Sequence, residues 1–507
     1  MTKQYINIIR KSYEDVIKEY KTEKKDFEKI FIDLTKDLLE TKNQNYEIIL
    51  NQLLEQYING LKAISMLSPG LSTGLHDYKH KITINTYSGK MSDIPNDKKI
   101  TAETVFDASS MTKMFTTILL LKEEEKGNID LTKKFSDYSP LLKNLDVPII
   151  DALKFKVEIK SKGRVDEENI DKEERIRRIL SVHPVEKNTF IYSDMAYMVV
   201  PLLFGKTIEE ATDNYINKFY SFFRDGLGLS KTGYSTINMT GGLVDAVLKE
   251  KEDKFKYTKK GVFDPKANII TREIGLVTAH AGLTTTVEDL EKLFDLLNNN
   301  LLGKKSLEKI IEKQNSEFLL DKNGRQIIRK DKPVRINHGM GVYISSGGVR
   351  GSDISDRYSK KAFAAEGSTG TFALFDLENG FNATFLSNIK SAVYSKLINT
   401  GKYGEYLGDE NEIPNYFDTT ILSGTNYFKN KKQARNISGS IMKTDESFIS
   451  FAKATNKFKE LQLDTLLKLR IAKLALTRIA VFELENSKLE ENIKALEKAF
   501  NNHNYRL

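Results

Sequence analysis

The chain of 507 residues is too long for one simple domain, so we expect two to four structural units. It contains no cysteine, which excludes disulfides, a cysteine nucleophile and cysteine-ligated metal sites. A formal net charge of +8 arises from 78 basic and 70 acidic residues that are interspersed along the chain. That distribution favours a solvated surface over a nucleic-acid-binding protein.

Two features of the sequence bear on its expected location. The amino-terminal 29 residues lack the apolar stretch and the small-residue cleavage site of a secretory signal. No run of 18 or more apolar residues occurs anywhere in the chain. We therefore expect a cytoplasmic protein without a membrane span.

The first 90 residues change from a helical to a strand pattern. Apolar residues recur at helical spacing from Ile6 to Ile17 and again from Ile48 to Tyr57, which predicts two or three amphipathic helices. Within residues 68–90, apolar and polar residues alternate from Ile82 onward, and glycine and proline flank the segment. This pattern predicts a strand in a β-hairpin.

The stretch FDASSMTKMFTTILLL, residues 106–121, is the most informative part of the chain. It predicts a turn that places Ser110 in the first turn of an apolar helix. Lys113 follows three residues later on the same helix face, so its amine can reach the serine hydroxyl. The helix N-terminus favours an oxyanion, and apolar neighbours are expected to lower the pKa of Lys113. The pattern indicates a serine nucleophile with a lysine base.

The same S-x-x-K spacing recurs elsewhere in this lysine-rich chain. It is found at Ser306/Lys309, Ser387/Lys390, Ser440/Lys443 and Ser450/Lys453. For any one such pair, a serine and a lysine on a helix surface is the favoured interpretation. The assignment of Ser110 therefore depends on the rest of the chain.

A second informative stretch, residues 188–205, places a Tyr-Ser-Asp turn before an apolar helix. Tyr192 could relay a proton to a leaving group, and Asp194 could hold Lys113 or the substrate by a hydrogen bond. Taken alone, the turn is better explained as a helix cap supplied by Ser193 or Asp194.

The highly charged residues 122–180 before it predict a helical subdomain with solvated faces.

Histidines in two segments are interpreted as structural. In residues 276–297, a threonine-capped helix is predicted to start near Val287, and His280 is favoured as a buried, hydrogen-bonded side chain. His76 and His80 lie in a strand-like segment, where four residues span more than a ligand cluster allows. We therefore expect no metal site.

The carboxyl-terminal part begins with a hairpin and continues as helix. Residues 371–376 and 381–386 are apolar runs that flank Leu-Glu-Asn-Gly, a hairpin signal. Small residues upstream, from Ala364 to Thr371, permit a ligand to approach the backbone closely. Residues 396–443 are rich in loop formers, and residues 444–502 are strongly helical, which predicts a core-packing or partner-binding extension.

Together these stretches resemble the serine beta-lactamase and penicillin-binding-protein superfamily, in its class-C-like esterase and peptidase branch. The resemblance covers roughly residues 45–395, with all landmarks in order. The matching segments are FDASSMTK, EEKGNIDL (124–131), Tyr192-Ser193-Asp194, GLGLSKTGY (226–234), AHAGLTTTVEDL (279–290) and AEGSTGT (365–371). The literal Lys231-Thr232-Gly233 precedes the AHAGL landmark, so it matches a structural turn of the family rather than its third catalytic motif.

The resemblance implies an α+β fold of the beta-lactamase/transpeptidase type. An antiparallel five-stranded sheet would form from segments near 70–90 and 340–388, with a mostly helical lobe at about 125–335. We expect three units: an N-terminal helical extension (1–44), the hydrolase domain (45–395) and a mainly helical C-terminal extension (396–507). Members of the family are often extracytoplasmic.

The resemblance also implies an acyl-serine hydrolase that cleaves an ester or amide and uses no cofactor or metal. Ser110 would attack, Lys113 would accept its proton and Tyr192 would relay it. Asp194 would contact the substrate, while Gly367 and the Ser368 N–H, beside that of Ser110, would serve the oxyanion.

One departure from the family pattern concerns the third motif. Ala365 replaces the lysine or histidine that contacts a substrate carboxylate, which weakens the case for D-alanyl-D-alanine or beta-lactam recognition.

The alternative function is a catalytically impaired binding or interaction module. The partners expected are a small-molecule, peptide or ester substrate and no nucleic acid. The terminal helices could also bind a protein or a second copy of the chain.

Overall fold

The computed structural model comprises a large sheet with helices on both faces. It begins with three helices, α1 (Thr2–Glu19), α2 (Glu28–Glu40) and α3 (Tyr46–Ser65), which confirms the prediction of amphipathic helices there. The residues that the structure describes are 2–20, 28–40, 46–91, 99–167, 170–185, 192–234, 239–240, 265–312, 325–326, 328–329, 332–333, 338–344, 354, 357–389, 446–487 and 504–506.

The central sheet is built from two segments that are far apart in the chain. Its five main strands, all antiparallel to their neighbours, are β11 (Phe363–Gly367), β12 (Thr371–Asp376), β13 (Phe381–Ser387), β1 (Gly70–Asp77) and β2 (Ile82–Gly89), in that spatial order. The predicted five-stranded antiparallel sheet is therefore confirmed, and the described residues form an α+β fold.

Two short strands extend the sheet beyond the five that were predicted. β10 (Tyr343–Ile344) pairs with β11 at one edge. β14 (Asn504–Arg506) pairs with β2 in parallel at the other edge, and no pattern in the sequence indicated this pairing. With these two strands, the described part of the sheet has seven. β14 covers the edge of β2.

Both predicted hairpins form as the turn chemistry requires. β1 and β2 pair in register from Gly70↔Gly89 to Asp77↔Ile82. β12 and β13 are joined through Leu-Glu-Asn-Gly, where Gly380 adopts φ +74°, a conformation that glycine reaches without steric cost. The two hairpins are joined in one sheet, since β1 lies between β2 and β13.

Helices and short strands follow the first hairpin along the chain. Among the helices, none in the described residues is both long and apolar enough to cross a membrane. The helices are α4 (Thr112–Glu125), α5 (Ile149–Leu153), α6 (Lys172–Ile179), α7 (Met195–Met198), α8 (Ile208–Tyr220), α9 (Pro265–Ile274), α10 (Val287–Asn298), α11 (Lys304–Ile311) and α12 (Glu446–Ser487). The short strands are β3 (Val105–Asp107), β4 (Glu158–Lys160), β5 (His183–Val185), β6 (Met239–Thr240), β7 (Thr284–Thr285), β8 (Ile328–Arg329) and β9 (Lys332–Pro333).

One face of the sheet packs against α10 and the helices around α4. The hydrophobic core on this side includes Phe115 and Leu119 of α4 and Ala365 of β11. α10 begins as predicted, with the Thr286 hydroxyl accepting a hydrogen bond from the Asp289 N–H. Its contact with the sheet is partly polar, because the Asn85 amide donates to Glu291 and His76 pairs with Asp295.

The opposite face packs against helices from both ends of the chain. α12 runs along α3 and α1 and contributes Leu467 and Ala472 to a second hydrophobic core that includes Leu75 of β1. This packing explains why α12 is long and apolar: it covers one face of a sheet. The predicted loops of 396–443 and the helix at LEENIKALEKAF fall outside the described residues, and the division into three units stays a prediction.

Candidate active site

The predicted serine lies in a tight connection between β3 and α4. After β3 the chain makes a single 3₁₀ turn, Ser109–Met111, and enters the apolar helix α4. Ser109 adopts φ +45°, which is uncommon for a residue with a side chain and is typical of functional sites. The Asp107 carboxylate stabilises the turn by accepting the Ser109 N–H at 2.8 Å.

The structure brings Ser110 and Lys113 together as the spacing predicted. The Lys113 Nζ donates to Ser110 Oγ at 3.1 Å and to the backbone carbonyl of His280 at 3.1 Å. Only 1% of the Lys113 side chain is exposed, while Ser110 is half-buried. The serine can therefore meet a substrate from solvent, whereas the lysine contacts it from inside the protein.

The Tyr-Ser-Asp turn lies beside this lysine. Asp194 Oδ1 is 3.0 Å from Lys113 Nζ, and the Tyr192 ring centroid is 5.1 Å from the same atom. Ser193, not Asp194, accepts the N–H of Met195 at the start of α7. The helix-cap and the lysine-contact interpretations of the turn are therefore both correct: Ser193 supports the start of the helix, and Asp194 contacts the lysine.

The charge state of Lys113 differs from the expectation. Burial by itself lowers the pKa of Lys113, as predicted from its apolar neighbours. The Asp194 carboxylate and the Tyr192 hydroxyl outweigh burial and raise that pKa above its ordinary value. The predicted fall in the pKa is therefore wrong, because the sequence could not show that a carboxylate would contact the amine. Lys113 is an ammonium ion at neutral pH.

The end of β11 packs directly on the serine turn. The Ser368 Oγ lies 2.9 Å from the Ser109 Oγ, and Ser368 is exposed. A Cβ on Gly367 would lie 2.5 Å from the carbonyl oxygen of Ala108, so only glycine allows the strand to approach this closely. Gly367 and Ser368 thus lie beside the turn that holds Ser110, as expected for the third motif. Ala365 is buried in the core on this face.

Aromatic side chains form a wall beside the pair that the sequence analysis did not find. The rings of Tyr192, Phe155 and His338 contact one another, and the Tyr192 centroid is 5.0 Å from Phe155 and 5.6 Å from His338. His338 also packs against Tyr343 in a tilted arrangement, with centroids 4.2 Å apart. Burial and the nearby Lys113 charge lower the pKa of His338 to about 3, so its imidazole is neutral. No local periodicity marked Phe155 or His338, because long-range packing brings them to the site.

The other described S-x-x-K residues form hydrogen bonds with different partners. Ser306 donates to Glu125 at 2.6 Å, and Lys309 binds Glu124 at 2.7 Å instead of Ser306. Ser387 donates to the Gly370 carbonyl at 2.8 Å within the hairpin region. Of the other two repeats, 440–443 lies outside the described residues, and Lys453 is exposed on α12. Among the S-x-x-K pairs whose two side chains are described, Ser110 and not Ser306 is contacted by its own lysine.

The Lys231-Thr232-Gly233 segment belongs to a structural turn, as predicted. The Lys231 ammonium pairs with Glu103 at 2.7 Å, and the Thr232 hydroxyl donates to Asp289 at 2.8 Å. Gly233 forms a bridge with Thr284. These contacts connect the turn to the start of α10.

Histidines outside the aromatic wall have structural contacts. His76 lies in β1 and contacts Thr83 and Asp295, and the buried His280 contributes its carbonyl to Lys113. His80 contacts Asp77 in the turn after β1. Within the described ranges, no group of three or more His, Asp or Glu side chains is arranged to hold a metal ion.

Comparison with known proteins shows which family the chain belongs to. The chain spans about half the length of the curated relatives it matches: the teichoic acid D-alanine hydrolase of Staphylococcus aureus is 25% identical over 213 residues, 41% of this chain and 49% of that protein. A class C beta-lactamase from Rhodobacter sphaeroides superposes with a TM-score of 0.45 and 14% identity, over 68% of this chain and 98% of that one. The D-amino acid amidase from Ochrobactrum anthropi superposes with a TM-score of 0.42 and 17% identity, over 67% of this chain and 91% of that one. Since the profile of the Beta-lactamase family matches residues 68–399, the chain belongs to that family of serine hydrolases.

Proposed function

We propose that the protein is an acyl-serine hydrolase that cleaves an ester or amide through Ser110. The observation that carries this proposal is the 3.1 Å contact between Lys113 Nζ and Ser110 Oγ, with the lysine buried and the serine accessible. A nucleophilic serine requires an adjacent group that removes its proton or stabilises its oxygen, and this contact supplies one.

The proposed reaction has two steps. Ser110 Oγ bonds to the carbonyl carbon of the substrate while its proton passes to the Lys113–Tyr192 pair. That proton then passes to the leaving oxygen or nitrogen as its bond to carbon breaks. In the second step a water molecule loses a proton to the same pair and attacks the acyl-enzyme, which releases the acid and restores Ser110.

The resting ammonium state of Lys113 constrains how the proton moves. Lys113 can accept the Ser110 proton only in its neutral form, and Asp194 makes this form scarce at neutral pH. We propose that the neutral fraction of Lys113 is the active base, so that kcat/KM rises as the pH increases above neutrality. Tyr192, which is 41% exposed, is the group in this pair that can reach a leaving group.

The backbone N–H groups of Ser110 and Ser368 are the proposed oxyanion donors. Ser110 opens the first helical turns before α4, where backbone N–H groups and the helix dipole favour negative charge. The close approach of Gly367 to Ala108 supports this role, since it holds the end of β11 against the serine turn.

The substrate we propose is one that carries no carboxylate close to the scissile bond. Ala365 supplies no cation at the position where the family places a lysine or histidine. The related staphylococcal protein is named for hydrolysing teichoic acid D-alanine. A D-alanyl ester has an ammonium group but no carboxylate beside the scissile bond, whereas a D-alanyl-D-alanine peptide carries a carboxylate on its leaving group. The ester therefore suits this departure better than the peptide does.

The first experiment measures the intact mass of the protein after incubation with a fluorophosphonate. A single adduct that is lost in Ser110→Ala supports the proposal. Ser306→Ala is the matched control, because Ser306 has the same spacing to a lysine but binds Glu125. If the folded wild type forms no adduct, the protein is better explained as a binding module.

A second experiment tests the substrate class. A D-alanyl ester, a neutral acetate ester and a D-alanyl-D-alanine peptide are compared by kcat/KM with the wild type and with Ser110→Ala. We expect hydrolysis of the two esters and weak or no hydrolysis of the peptide. Preferred hydrolysis of the peptide would contradict the role given to Ala365.

A further inference from the structure

The strand that leads to the proposed oxyanion donor is contacted from behind by the C-terminal helix. Because side chains alternate along β11, Ala365 belongs to the core on the site face while Glu366 points to the opposite face. There the Glu366 carboxylate forms an ion pair with Lys459 of α12. Both side chains are largely buried, with exposed fractions of 22% and 13%.

Lys459 contacts two neighbouring strands at once. Its ammonium lies 4.2 Å from the ring centroid of Phe372, the residue of β12 that pairs with Glu366 across the ladder. The Tyr358 hydroxyl donates to the Lys459 carbonyl at 3.1 Å, which secures the helix turn that carries this ammonium. One cation therefore contacts both members of the cross-strand pair that directly precedes Gly367.

The other edge of β11 provides little support at this point. In the described part of the sheet, β10 pairs with Phe363 and Ala364 and no further along β11. The last residues of β11 are thus held by β12 at one edge, by the serine turn on the site face and by Lys459 from behind. On the back face of the strand end, the ion pair is the contact that opposes its displacement.

We propose that Lys459 is a positioning residue for the hydrolase site, which it serves by fixing the end of β11 opposite Ser110. This inference rests on the proposed function. Without the ammonium, the Glu366 carboxylate would be buried without its partner and would draw the strand end towards solvent. A displacement of about 1 Å at the Ser368 N–H is enough to reduce the rate by up to about 100-fold.

The test compares four variants of the full chain on p-nitrophenyl acetate. Lys459→Met keeps the apolar stem but removes the charge, and Lys459→Arg keeps the charge. Lys459→Met combined with Glu366→Gln removes both charges and leaves no buried carboxylate. Lys453→Met is the matched control, because Lys453 is exposed on the same helix. Each is measured for kcat, KM and hydrogen exchange at the amides of residues 364–368.

We expect Lys459→Met to lower kcat about tenfold or more, to change KM less than twofold and to speed exchange at 364–368. Lys459→Arg and the double variant should recover most of the kcat, and Lys453→Met should match the wild type. An unchanged kcat and exchange rate in Lys459→Met would overturn the inference, as would a loss of protection spread evenly over the whole chain.

The outcomes separate this inference from the proposed function. If the wild type neither hydrolyses the ester nor forms a fluorophosphonate adduct at Ser110, the proposed hydrolase function fails. Exchange at 364–368 then still decides whether Lys459 fixes the end of β11. If the wild type is active and Lys459→Met is equally active, the inference alone fails.

Discussion

The two faces of the central sheet use buried ion pairs in different ways. On the site face, Lys113 binds Asp194 and also contacts the Ser110 hydroxyl. On the back face, Arg470 of α12 binds Asp77 with two hydrogen bonds and also donates to the Asn379 carbonyl. Both cations are 1% exposed, and both bind a single carboxylate.

The difference lies in what else each cation contacts. Arg470 joins a terminal helix to the ends of two hairpins, and every contact it makes is structural. Lys113 contacts a half-buried hydroxyl that a substrate can reach. Breaking the pair on the back face should therefore reduce stability, while Ser110→Ala on the site face should alter the reaction and leave stability nearly unchanged.

The largest effect is expected from Ser110→Ala and Lys113→Ala. Each should lower kcat by about 10³-fold or more, because a nucleophile and its base act as one unit. The thermal midpoint of Ser110→Ala should stay close to that of the wild type. Ester turnover and calorimetry measure the two quantities, with Ser306→Ala as the control. Full activity in Lys113→Ala would exclude this mechanism.

The next effect is expected from Arg470→Met, which opens the corresponding pair on the back face. Removing one partner of a buried ion pair costs about 3–5 kcal/mol of unfolding free energy. Burial raises the pKa of Asp77, but His80 and Arg470 outweigh it and lower the pKa to about 2. The wild type should thus lose stability as the pH falls from about 4 towards 2. Urea unfolding at pH 7 and pH 3 should show a smaller loss in Arg470→Met; an equal loss would contradict the role of this pair.

A third effect concerns Glu291, a buried residue of α10 that accepts a hydrogen bond from the Asn85 amide of the sheet. Burial raises the pKa of Glu291 to about 8, so the carboxyl group is neutral in the folded protein at lower pH. Because the pKa of Glu291 is higher in the folded than in the unfolded protein, the group contributes fully to stability below the unfolded pKa of about 4.3. This contribution is lost as the pH rises through 8.

Glu291→Gln should remove this dependence on pH. Relative to the wild type, the unfolding free energy of the variant should rise between pH 5 and pH 9 by a few kcal/mol at most, on the order of 2–3. Glu308→Gln is the control, since Glu308 is exposed on α11. Parallel stability curves for the wild type and Glu291→Gln would show that Glu291 is ionised at both ends of this range.

The smallest effect is a shift in the pH profile of Asp194→Asn. Asp194 raises the pKa of Lys113, so its removal should lower that pKa by about one unit or more. The alkaline rise of kcat/KM should then move to lower pH by the same amount. Asp151→Asn, at a surface pair with Lys156, should leave the profile in place. An unmoved profile in Asp194→Asn would assign the base role to a group other than Lys113.

Local patterns in the sequence were enough to predict several elements. The Leu-Glu-Asn-Gly turn between two apolar runs predicted β12 and β13 almost to the residue, because turn chemistry and alternation act over a few positions. Thr286 predicted the start of α10 for the same reason. The S-x-x-K spacing predicted the contact between Ser110 and Lys113, since both lie on one helix face.

Contacts between distant segments were beyond the reach of such patterns. β14 joins the sheet with a three-residue segment that carries no alternation of its own. His338 and Phe155 reach the aromatic wall from opposite ends of the helical region. The acceptor that His280 offers to Lys113 is its backbone carbonyl, which every residue type has, so no sequence pattern can mark it. Each of these positions is fixed by packing of the whole chain.

The sequence by itself determined the family, the main hairpins and the placement of a lysine beside Ser110. Only the tertiary structure decided that this lysine is charged, because its pKa depends on the distance to Asp194 as well as on burial. The tertiary structure alone also decided that α12 supports β11 from behind. Periodicity reports which face of an element is buried, whereas electrostatic energies depend on which partner, from anywhere in the chain, lies against that face.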